Sequence, residues 1–429
     1  MLPRFRRILT SWQLLFVAAL SVRLTFVATM GDAGLTWDDE RDHDMIAWNL
    51  AQTGNFESSA YRAAPILPAF LAVTYNIFGH SFTAARAAQA LLGAVLVVMV
   101  FHTARLLFGR TTGLVAGWCT ALYPQLIYLS GVFYAEHMFA VLLAASVLSL
   151  VRCNEKPTFM RSAVAGLSLG LAALCRPVSL VLAPVAAGYV FWSCRPGKRM
   201  QSVCILIGVT LVAILPWTVR NAVVFRHFIP VAAGQGIHLW LGNNDLSRGD
   251  SDDRHLSLGG ATIKYRVGQL GGQRRAEVEA QLESLQAELE NVDDASMDSR
   301  LNREALAWIR AHPTVFLRNC LNRMVTMHEA FSRTLSSNEA TSRRNRAIAS
   351  VTFYPILICG VLGAFLAWRR NRASWVLHAT VAALTLVHVV LTACTRFRIP
   401  IDPYWIIFAS VAVAGVLERI PRRQGGSGN

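Results

Sequence analysis

A cluster of acidic residues follows the first apolar stretch of the chain. Five carboxylates fall within the seven residues from Asp38 to Asp44, directly after an apolar run over residues 9–30. Carboxylates are costly to keep beside a bilayer, so such a cluster suggests a chemical role, although a solvated loop is the commoner explanation until the features below are considered. A positioned carboxylate can take the proton of a hydroxyl nucleophile, which reacts poorly at neutral pH without that help. The acidic cluster therefore indicates acid/base chemistry at a membrane edge.

Several arginines stand where a membrane protein is expected to be poor in them, namely at apolar ends and short turns on the face of the acidic cluster. They are Arg176, Arg220, Arg396 and Arg398. The planar guanidinium pairs bidentately with phosphate oxygens, although a single arginine could equally snorkel to lipid headgroups. Together with the carboxylates, these arginines favour an anionic ligand with acid/base chemistry beside it.

The elements that must position these residues are membrane spans. The chain has 429 residues, of which 54% are hydrophobic and only 16% are charged. Apolar runs of this number cannot all be buried in soluble domains, so the composition predicts a polytopic all-α membrane protein. The net charge of +15 would suggest nucleic acid in a soluble protein. Here the basic residues lie mostly at span ends, where they set orientation, and we expect no nucleic-acid partner.

Ten candidate spans can be placed from the apolar runs. They cover residues 9–30, 84–107, 111–130, 133–151, 160–175, 178–194, 201–218, 347–368, 374–394 and 402–418. With the chain's start inside, six consecutive basic flanks fall on the same side, which predicts that both ends are cytoplasmic. The two short spans within 160–194 flank Arg176-Pro177, and a broken or re-entrant pair there would keep the same sidedness.

Two long segments then face outward. The predicted division is a catalytic membrane module over 1–218 with its first outer loop at 31–83, an extracytoplasmic loop domain over 219–346, C-terminal spans over 347–418 and a cytoplasmic tail over 419–429. Apolar spacing predicts a short helix around Met45–Leu50 that stops at Gly54, and an interfacial helix from Pro65 to Gly79. A helix pair is expected on either side of Pro313, and helical spacing also links Val278, Leu282, Leu285 and Leu289.

Other polar groups give less specific indications. Glu136 alone is typical of a helix start, but beside the acidic cluster it could be the second carboxylate of one site. Arg23 lies inside the first span and either pairs with an acid of the outer loop or snorkels outward. The histidines show no zinc spacing, and the eight cysteines lie mostly in apolar runs as small packing residues.

The order of short motifs resembles one enzyme family. The sequence Asp39-Glu40-x-x-His43 resembles the Asp-Glu-x-x-Tyr signature in the first outer loop of GT-C glycosyltransferases, with His43 in place of tyrosine. The branch it resembles is glycosyltransferase family 39, which includes protein O-mannosyltransferases and the lipid A aminoarabinose transferase. Further motifs of the resemblance are Arg62-Ala63-Ala64-Pro65, Tyr123-Pro124 with Glu136, Cys175-Arg176-Pro177, Pro216-Trp217-Thr218-x-Arg220 and Arg396-Phe397-Arg398-x-Pro400.

The resemblance implies a GT-C-like fold of about ten transmembrane helices with outer amphipathic helices and one loop domain. It also implies a hexosyl- or pentosyltransferase that takes its sugar from a polyprenyl phosphate at the outer face of a bacterial cytoplasmic membrane. Asp39 is then the expected general base, with Asp38 and Glu40 as less favoured alternatives. The expected ligands of the donor phosphate are Arg176, Arg220, Arg396 and Arg398, and the other expected substrate contacts are His43, Glu136 and Arg62.

The sugar travels on a lipid, so no nucleotide cofactor is expected, and the partners are the donor lipid, membrane lipids and a lipid, protein or glycan acceptor. Asp39 and Glu136 could hold a divalent cation through oxygen ligands, but the resemblance implies no metal. One alternative function is a secondary transporter or lipid flippase, which predicts inverted repeats and midplane charges. Another is a polysaccharide polymerase or ligase that uses a diphosphate-linked donor.

Overall fold

The computed structural model describes residues 11–56, 64–245, 247, 256–259, 262–265, 276, 280, 284, 294–330 and 343–419. The predictions for Arg62, for the helical spacing between Val278 and Leu289 and for the tail over 424–429 therefore lie outside the described residues.

The described chain is almost entirely helical, with one short antiparallel hairpin. The helices are α1 Trp12–Met30, α2 Asp38–Thr53, α3 Ile66–Phe78, α4 Phe82–Phe108, α5 Arg110–Leu122, α6 Pro124–Tyr128, α7 Ala135–Glu155, α8 Phe159–Cys175, α9 Ala183–Ser193, α10 Arg199–Phe225, α11 Gln235–Gly242, α12 Asp294–Ala311, α13 Pro313–Met327, α14 Arg343–Arg370, α15 Trp375–Val390, α16 Thr395–Arg398 and α17 Asp402–Arg419. Strands β1 Leu256–Gly259 and β2 Thr262–Tyr265 pair with Leu256 opposite Tyr265. Three short 3₁₀ turns cover Pro177–Leu182, Pro196–Lys198 and Arg372–Ser374.

The multi-pass membrane architecture is confirmed. Within the described ranges, six helices are long and apolar enough to cross a membrane: Trp12–Met30, Phe82–Phe108, Ala135–Glu155, Pro196–Phe225, Arg343–Arg370 and Arg372–Val390. Shorter apolar helices cover Ile66–Phe78, Phe159–Cys175 and Pro177–Ser193. Each of the ten segments expected from hydropathy contains helix. The two segments outside the helices just named are 111–130, which holds α5 and α6, and 402–418, which lies in α17.

The chain has two helix breaks at a residue that precedes proline, one inside the segment 111–130 and one between the segments 160–175 and 178–194. Steric contact with the proline ring disfavours helical backbone at the preceding residue, which turns extended. Tyr123, before Pro124, has ψ 114°, and it separates α5 from α6. Arg176, before Pro177, also has ψ 114° and ends α8, which is followed by a 3₁₀ turn. The single span expected over 111–130 is therefore two helices, whereas the break at Arg176-Pro177 follows the expectation.

The helix α7 lies at the centre of the bundle. In its most apolar stretch of 18 residues, 78% of the residues are buried, the largest share among the six long helices described above. It packs against α4 and α8. Small residues allow close helix contacts elsewhere, as membrane helices require. A Cβ at Gly363 of α14 would overlap the carbonyl oxygen of Phe408 in α17, and a Cβ at Gly166 of α8 would overlap that of Leu206 in α10. The bundle therefore places the start of α7 among several neighbouring helix ends.

The outer helices follow the sequence pattern. Helix α2 begins with three acids, which the helix dipole favours, and it ends at Gly54, whose φ of 73° is left-handed. Helix α3 packs against α2 and leaves Val73, Ile77 and Phe78 exposed, as an interfacial helix would. The expected pair around Pro313 is present as α12 and α13. These helices carry the acidic cluster to the end of the bundle at which α7 begins.

Candidate active site

Four charged side chains from distant parts of the sequence meet in one cluster, called the charge cluster below: Asp39, Glu136, Arg176 and Arg396. Nη1 of Arg396 lies 2.6 Å from Oδ2 of Asp39, and its Nε lies 2.9 Å from Oε1 of Glu136. Nη1 of Arg176 donates to the same Oε1 of Glu136. The acidic residue Asp39 and two of the expected phosphate-binding arginines are thus joined through Glu136.

Helix ends and breaks position all four members of the cluster. Asp39 and Glu136 lie in the first turns of α2 and α7, where the helix dipole stabilises a carboxylate. Arg176 lies at the proline break after α8, and Arg396 lies in the short helix α16 between α15 and α17. Because each side chain leaves the end of a helix packed in the bundle, the cluster is held by the fold itself.

Aromatic rings flank both guanidinium groups. The Cζ of Arg396 lies 4.5 Å from the ring centre of Tyr134, and that of Arg176 lies 4.8 Å from the ring centre of Phe397. Burial disfavours the charged form of Arg396, but Glu136 and Asp39 outweigh it and hold its pKa well above the ordinary value. Burial also raises the pKa of Tyr134, so its hydroxyl stays protonated. The rings restrict both arginines while leaving their charge intact.

The cluster is open on one side. The side chain of Asp39 is 48% exposed, that of Arg396 is 31% and that of Arg176 is 20%, whereas Glu136 is only 2% exposed. Each guanidinium has five N–H donors, and its contacts with the two carboxylates occupy only part of them. Glu136 is therefore a buried anchor for both arginines, and a further anion can approach them from the side on which Asp39 is exposed.

The other two acids considered as bases have different surroundings. Both oxygens of Glu40 accept backbone hydrogen bonds, Oε1 from Phe133 at 3.0 Å and Oε2 from Thr36 at 3.1 Å. Glu40 is 2% exposed and fixes the start of α2 against the segment that leads into Glu136. Asp38 is 92% exposed and pairs with Arg41 at 3.0 Å. Of these three neighbouring acids, Asp39 is the one in contact with the charge cluster.

The remaining sequence-predicted residues lie outside the cluster. Nδ1 of His43 contacts the backbone carbonyl of Asp39 one turn earlier. Arg398 is 1% exposed, pairs through Nε with Oδ1 of Asp402 at 2.8 Å and donates to the carbonyl of Glu329 at 2.7 Å. Nη2 of Arg220 donates to the carbonyl of Phe56 at 3.1 Å. The structure thus brings Arg396 to Asp39 and joins Arg176 to them through Glu136, while its described contacts place Arg398 and Arg220 against other parts of the chain.

We expect Arg398→Ala to destabilise the fold by about 3–5 kcal/mol, because it leaves the carboxylate of Asp402 buried without its charged partner. Thermal unfolding of the detergent-solubilised protein measures this loss. Arg41→Ala is the matched control, since it removes an arginine whose ion pair with Asp38 is exposed. Unchanged stability combined with a loss of ligand binding would instead assign Arg398 to the ligand.

Two residues near the site were not identified from the sequence. Arg323 is 1% exposed and donates to the carbonyls of Val390 and Gly242 at 2.8 and 2.7 Å, which fixes the end of α15. The ring of His388 in α15 lies 5.1 Å from that of Phe397, which also lies beside the guanidinium of Arg176. A lone histidine in an apolar span gives no sequence signal, but Arg323 lies on the inward face of α13, which its helical spacing from Asn319 could have indicated.

Comparisons with known proteins agree with this architecture. Residues 62–219 match the sequence model of a family described as dolichyl-phosphate-mannose-protein mannosyltransferase. This range includes Glu136 and Arg176, whereas Asp39 and Arg396 lie outside it. A search of curated proteins gives no match.

Solved structures of GT-C enzymes share the fold. ArnT from Cupriavidus metallidurans bound to undecaprenyl phosphate matches with a TM-score of 0.59 at 16% identity, over 96% of this chain and 61% of that one. The archaeal oligosaccharyltransferase AglB from Archaeoglobus fulgidus, in complex with an inhibitory peptide and a dolichol-phosphate, matches with a TM-score of 0.56 at 14% identity, over 95% of this chain and 50% of that one. The chain thus spans between half and about six tenths of the length of these two proteins.

The comparisons show the fold and a partial family match. The chain is a polytopic membrane protein whose fold is shared with the GT-C enzymes ArnT and AglB, and residues 62–219 match the mannosyltransferase model. Its likeness is to the mannosyltransferase family and to ArnT within that class.

Proposed function

We propose that this chain is a membrane glycosyltransferase that moves a sugar from a polyprenyl phosphate to an acceptor at the extracytoplasmic face. The observation that carries the proposal is the ion pair of 2.6 Å between Arg396 and Asp39, residues from the C-terminal spans and the first outer loop. A general base and a group able to hold a phosphate must share one site for this reaction. That requirement is met by two residues that lie 357 positions apart in the sequence.

Asp39 is the proposed general base. It is the exposed member of the charge cluster, so an acceptor hydroxyl can reach its carboxylate from outside. The acceptor oxygen bonds to the anomeric carbon while the bond from that carbon to the phosphate oxygen breaks with its electron pair. The hydroxyl proton passes to Asp39 in the same step, and attack from the side opposite the phosphate inverts the anomeric centre.

Arg396 and Arg176 are the proposed ligands of the departing phosphate. Preplaced guanidinium groups stabilise the negative charge that develops on the leaving oxygen. The charges of the four cluster residues balance, with two carboxylates and two guanidinium groups. When Asp39 accepts the proton, the net charge of the cluster becomes more positive by one unit. The phosphate becomes more negative in the same step. Glu136 holds both guanidinium groups in place during the step, which makes it a positioning residue.

The names of the similar proteins support a proposal for the donor and the location. ArnT and AglB were solved with undecaprenyl phosphate and dolichol-phosphate, and the family model describes a transferase that uses dolichyl-phosphate mannose. We propose a polyprenyl phosphate of the bacterial cytoplasmic membrane as the carrier. The division into a membrane module over 1–218 and an outer loop domain over 219–346 stays part of this proposal, with the loop domain selecting the acceptor.

The outward position of the site can be tested with fusions. We expect alkaline phosphatase to be active when it is fused after residue 60 and inactive when it is fused after residue 198, because that enzyme folds only outside the cytoplasm. Colony assays in a phosphatase-deficient strain would measure this, with immunoblots to show equal expression. The opposite pattern would place Asp39 inside the cell and overturn the proposed topology.

The proposed reaction is tested with purified protein in proteoliposomes that hold radiolabelled polyprenyl-phosphate hexoses or pentoses, to which an extract of bacterial envelope lipids, proteins and glycans is added as the source of the acceptor. We expect a new glycosidic product together with free polyprenyl phosphate. A transporter or flippase would move the lipid across the bilayer without forming such a product, so the two functions give different results. Movement without any glycosidic bond would refute the proposal.

A further inference from the structure

Helix α13 exposes a stripe of apolar side chains and buries three polar ones. The exposed fractions of Leu317, Leu321 and Val325 are 61%, 68% and 64%. These residues recur at intervals of four, so they form one stripe along the helix. The opposite face buries Asn319, Arg323 and Thr326, which are 0%, 1% and 5% exposed. A helix at a water-exposed surface shows the reverse arrangement.

The position of α13 relative to the membrane follows from Arg323. Its guanidinium donates to the carbonyls of Val389 and Val390 at 2.8 Å, the last residues of the span Arg372–Val390. That span has 19 residues. At the helical rise its length is about 28 Å, close to the thickness of the hydrocarbon core. Helix α13 therefore lies at the level at which the span leaves the hydrocarbon.

We propose that α13 lies in the outer leaflet, with the Leu317, Leu321 and Val325 stripe in contact with lipid acyl chains. An exposed apolar stripe marks a contact surface for lipid or protein. Two observations favour lipid: Arg323 fixes α13 to the end of the span Arg372–Val390, and Arg318 is exposed beside Leu317. An arginine in this position can bind a lipid phosphate while its neighbours enter the acyl region.

This membrane contact has a consequence for the charge cluster. The backbone carbonyl of Met327, the last residue of α13, accepts a hydrogen bond from Arg398 at 3.3 Å, and Arg398 lies two residues after Arg396. Arg323 fixes the other side of the same segment through the carbonyl of Leu391 at 3.1 Å. Seating α13 in the leaflet therefore also sets the depth of the segment that carries Arg396. This consequence rests on the proposed function, whereas the lipid contact does not.

Photo-crosslinking tests the lipid contact without any assay of activity. The full chain would carry p-benzoylphenylalanine in place of Leu321, in nanodiscs of phosphatidylethanolamine and phosphatidylglycerol, and intact mass would be measured after irradiation. We expect an adduct of one phospholipid at a yield similar to that at Ile358, a span residue that is 71% exposed. The same probe in place of the exposed Arg303 of α12 is expected to give at least tenfold less lipid adduct.

Two outcomes would overturn the proposal. One is an absence of lipid adduct at residue 321 in a sample whose probe at residue 358 does form one. The other is a crosslink from residue 321 to a protein, either a second copy of this chain or a partner. If the variant at 321 fails to fold by gel filtration, the same probe at Val325, which is 64% exposed, gives the same two-way test. A failure of sugar transfer would leave these results unaffected.

Discussion

Asp39→Asn is expected to lower sugar transfer by about 10²–10⁴-fold, the contribution of a positioned general base. Asparagine keeps the size and the hydrogen-bonding oxygen that faces Arg396, but it cannot accept the proton of the acceptor hydroxyl. Because the side chain of Asp39 is 48% exposed, we expect the loss of its charge to affect the fold little. The group that loses a charged partner is Nη1 of Arg396. Radiolabelled product formation in membranes with equal amounts of the two proteins measures the effect.

Asp38→Asn is the matched control for this variant. It changes the neighbouring acid in the first turn of α2, whose side chain is 92% exposed and pairs with Arg41 rather than with the charge cluster. We expect it to retain nearly all activity. Turnover of Asp39→Asn at the wild-type rate would remove Asp39 as the base, and a loss of membrane insertion in that variant would instead indicate a structural role.

Arg396→Ala is expected to lower kcat by about 10²–10³-fold, the usual effect of removing one donor to a developing negative charge. The substitution removes the one residue that contacts both carboxylates of the cluster, so the phosphate loses a ligand and Asp39 loses its orientation. Glu136 keeps its ion pair with Arg176, and we therefore expect the fold to remain intact. Steady-state kinetics with a polyprenyl-phosphate sugar separate this loss into kcat and KM.

Arg396→Lys serves as the control for charge. Lysine keeps the positive charge but cannot reach two carboxylates and a phosphate in one plane, so we expect it to recover only part of the activity. Calorimetric titration with undecaprenyl phosphate would report the loss of phosphate affinity independently of turnover. Unchanged affinity and unchanged turnover in Arg396→Ala would exclude this residue from the site.

Much of the fold could be predicted from hydropathy, because a lipid environment leaves few alternatives to long apolar helices. The proline at 177 predicts a helix break at the residue before it, and the structure has this break at Arg176. The proline at 124 has the same steric effect, but the residues on both sides of it are apolar. For that reason the sequence predicts one span where the structure has a break between α5 and α6. The steric effect of proline on the preceding residue therefore explains both helix breaks. It is difficult to recognise in the sequence only where the flanking residues are uniformly apolar.

The site was predictable in its residue types but not in its pairings. Arg396 and Arg398 have similar sequence surroundings, but they are two residues apart in a helix, about half a turn, and so point to different partners. Arg398 and Asp402 are four residues apart, at the end of α16 and the start of α17, and so short a separation of opposite charges in the sequence can indicate an ion pair. The contact of Arg396 with Asp39 has no such sign, because it depends on how α2 and α16 meet in space. Long-range packing decided which arginines joined the acid.

The proposed phosphate site can be observed in a structure of this chain in nanodiscs with undecaprenyl phosphate, determined by electron cryomicroscopy, which requires no knowledge of the sugar or the acceptor. We expect phosphate density within about 3 Å of guanidinium nitrogens of both Arg176 and Arg396, on the side where Asp39 is exposed. Phosphate bound elsewhere, such as at Arg220, with the ion pairs of the charge cluster unchanged, would contradict this expectation.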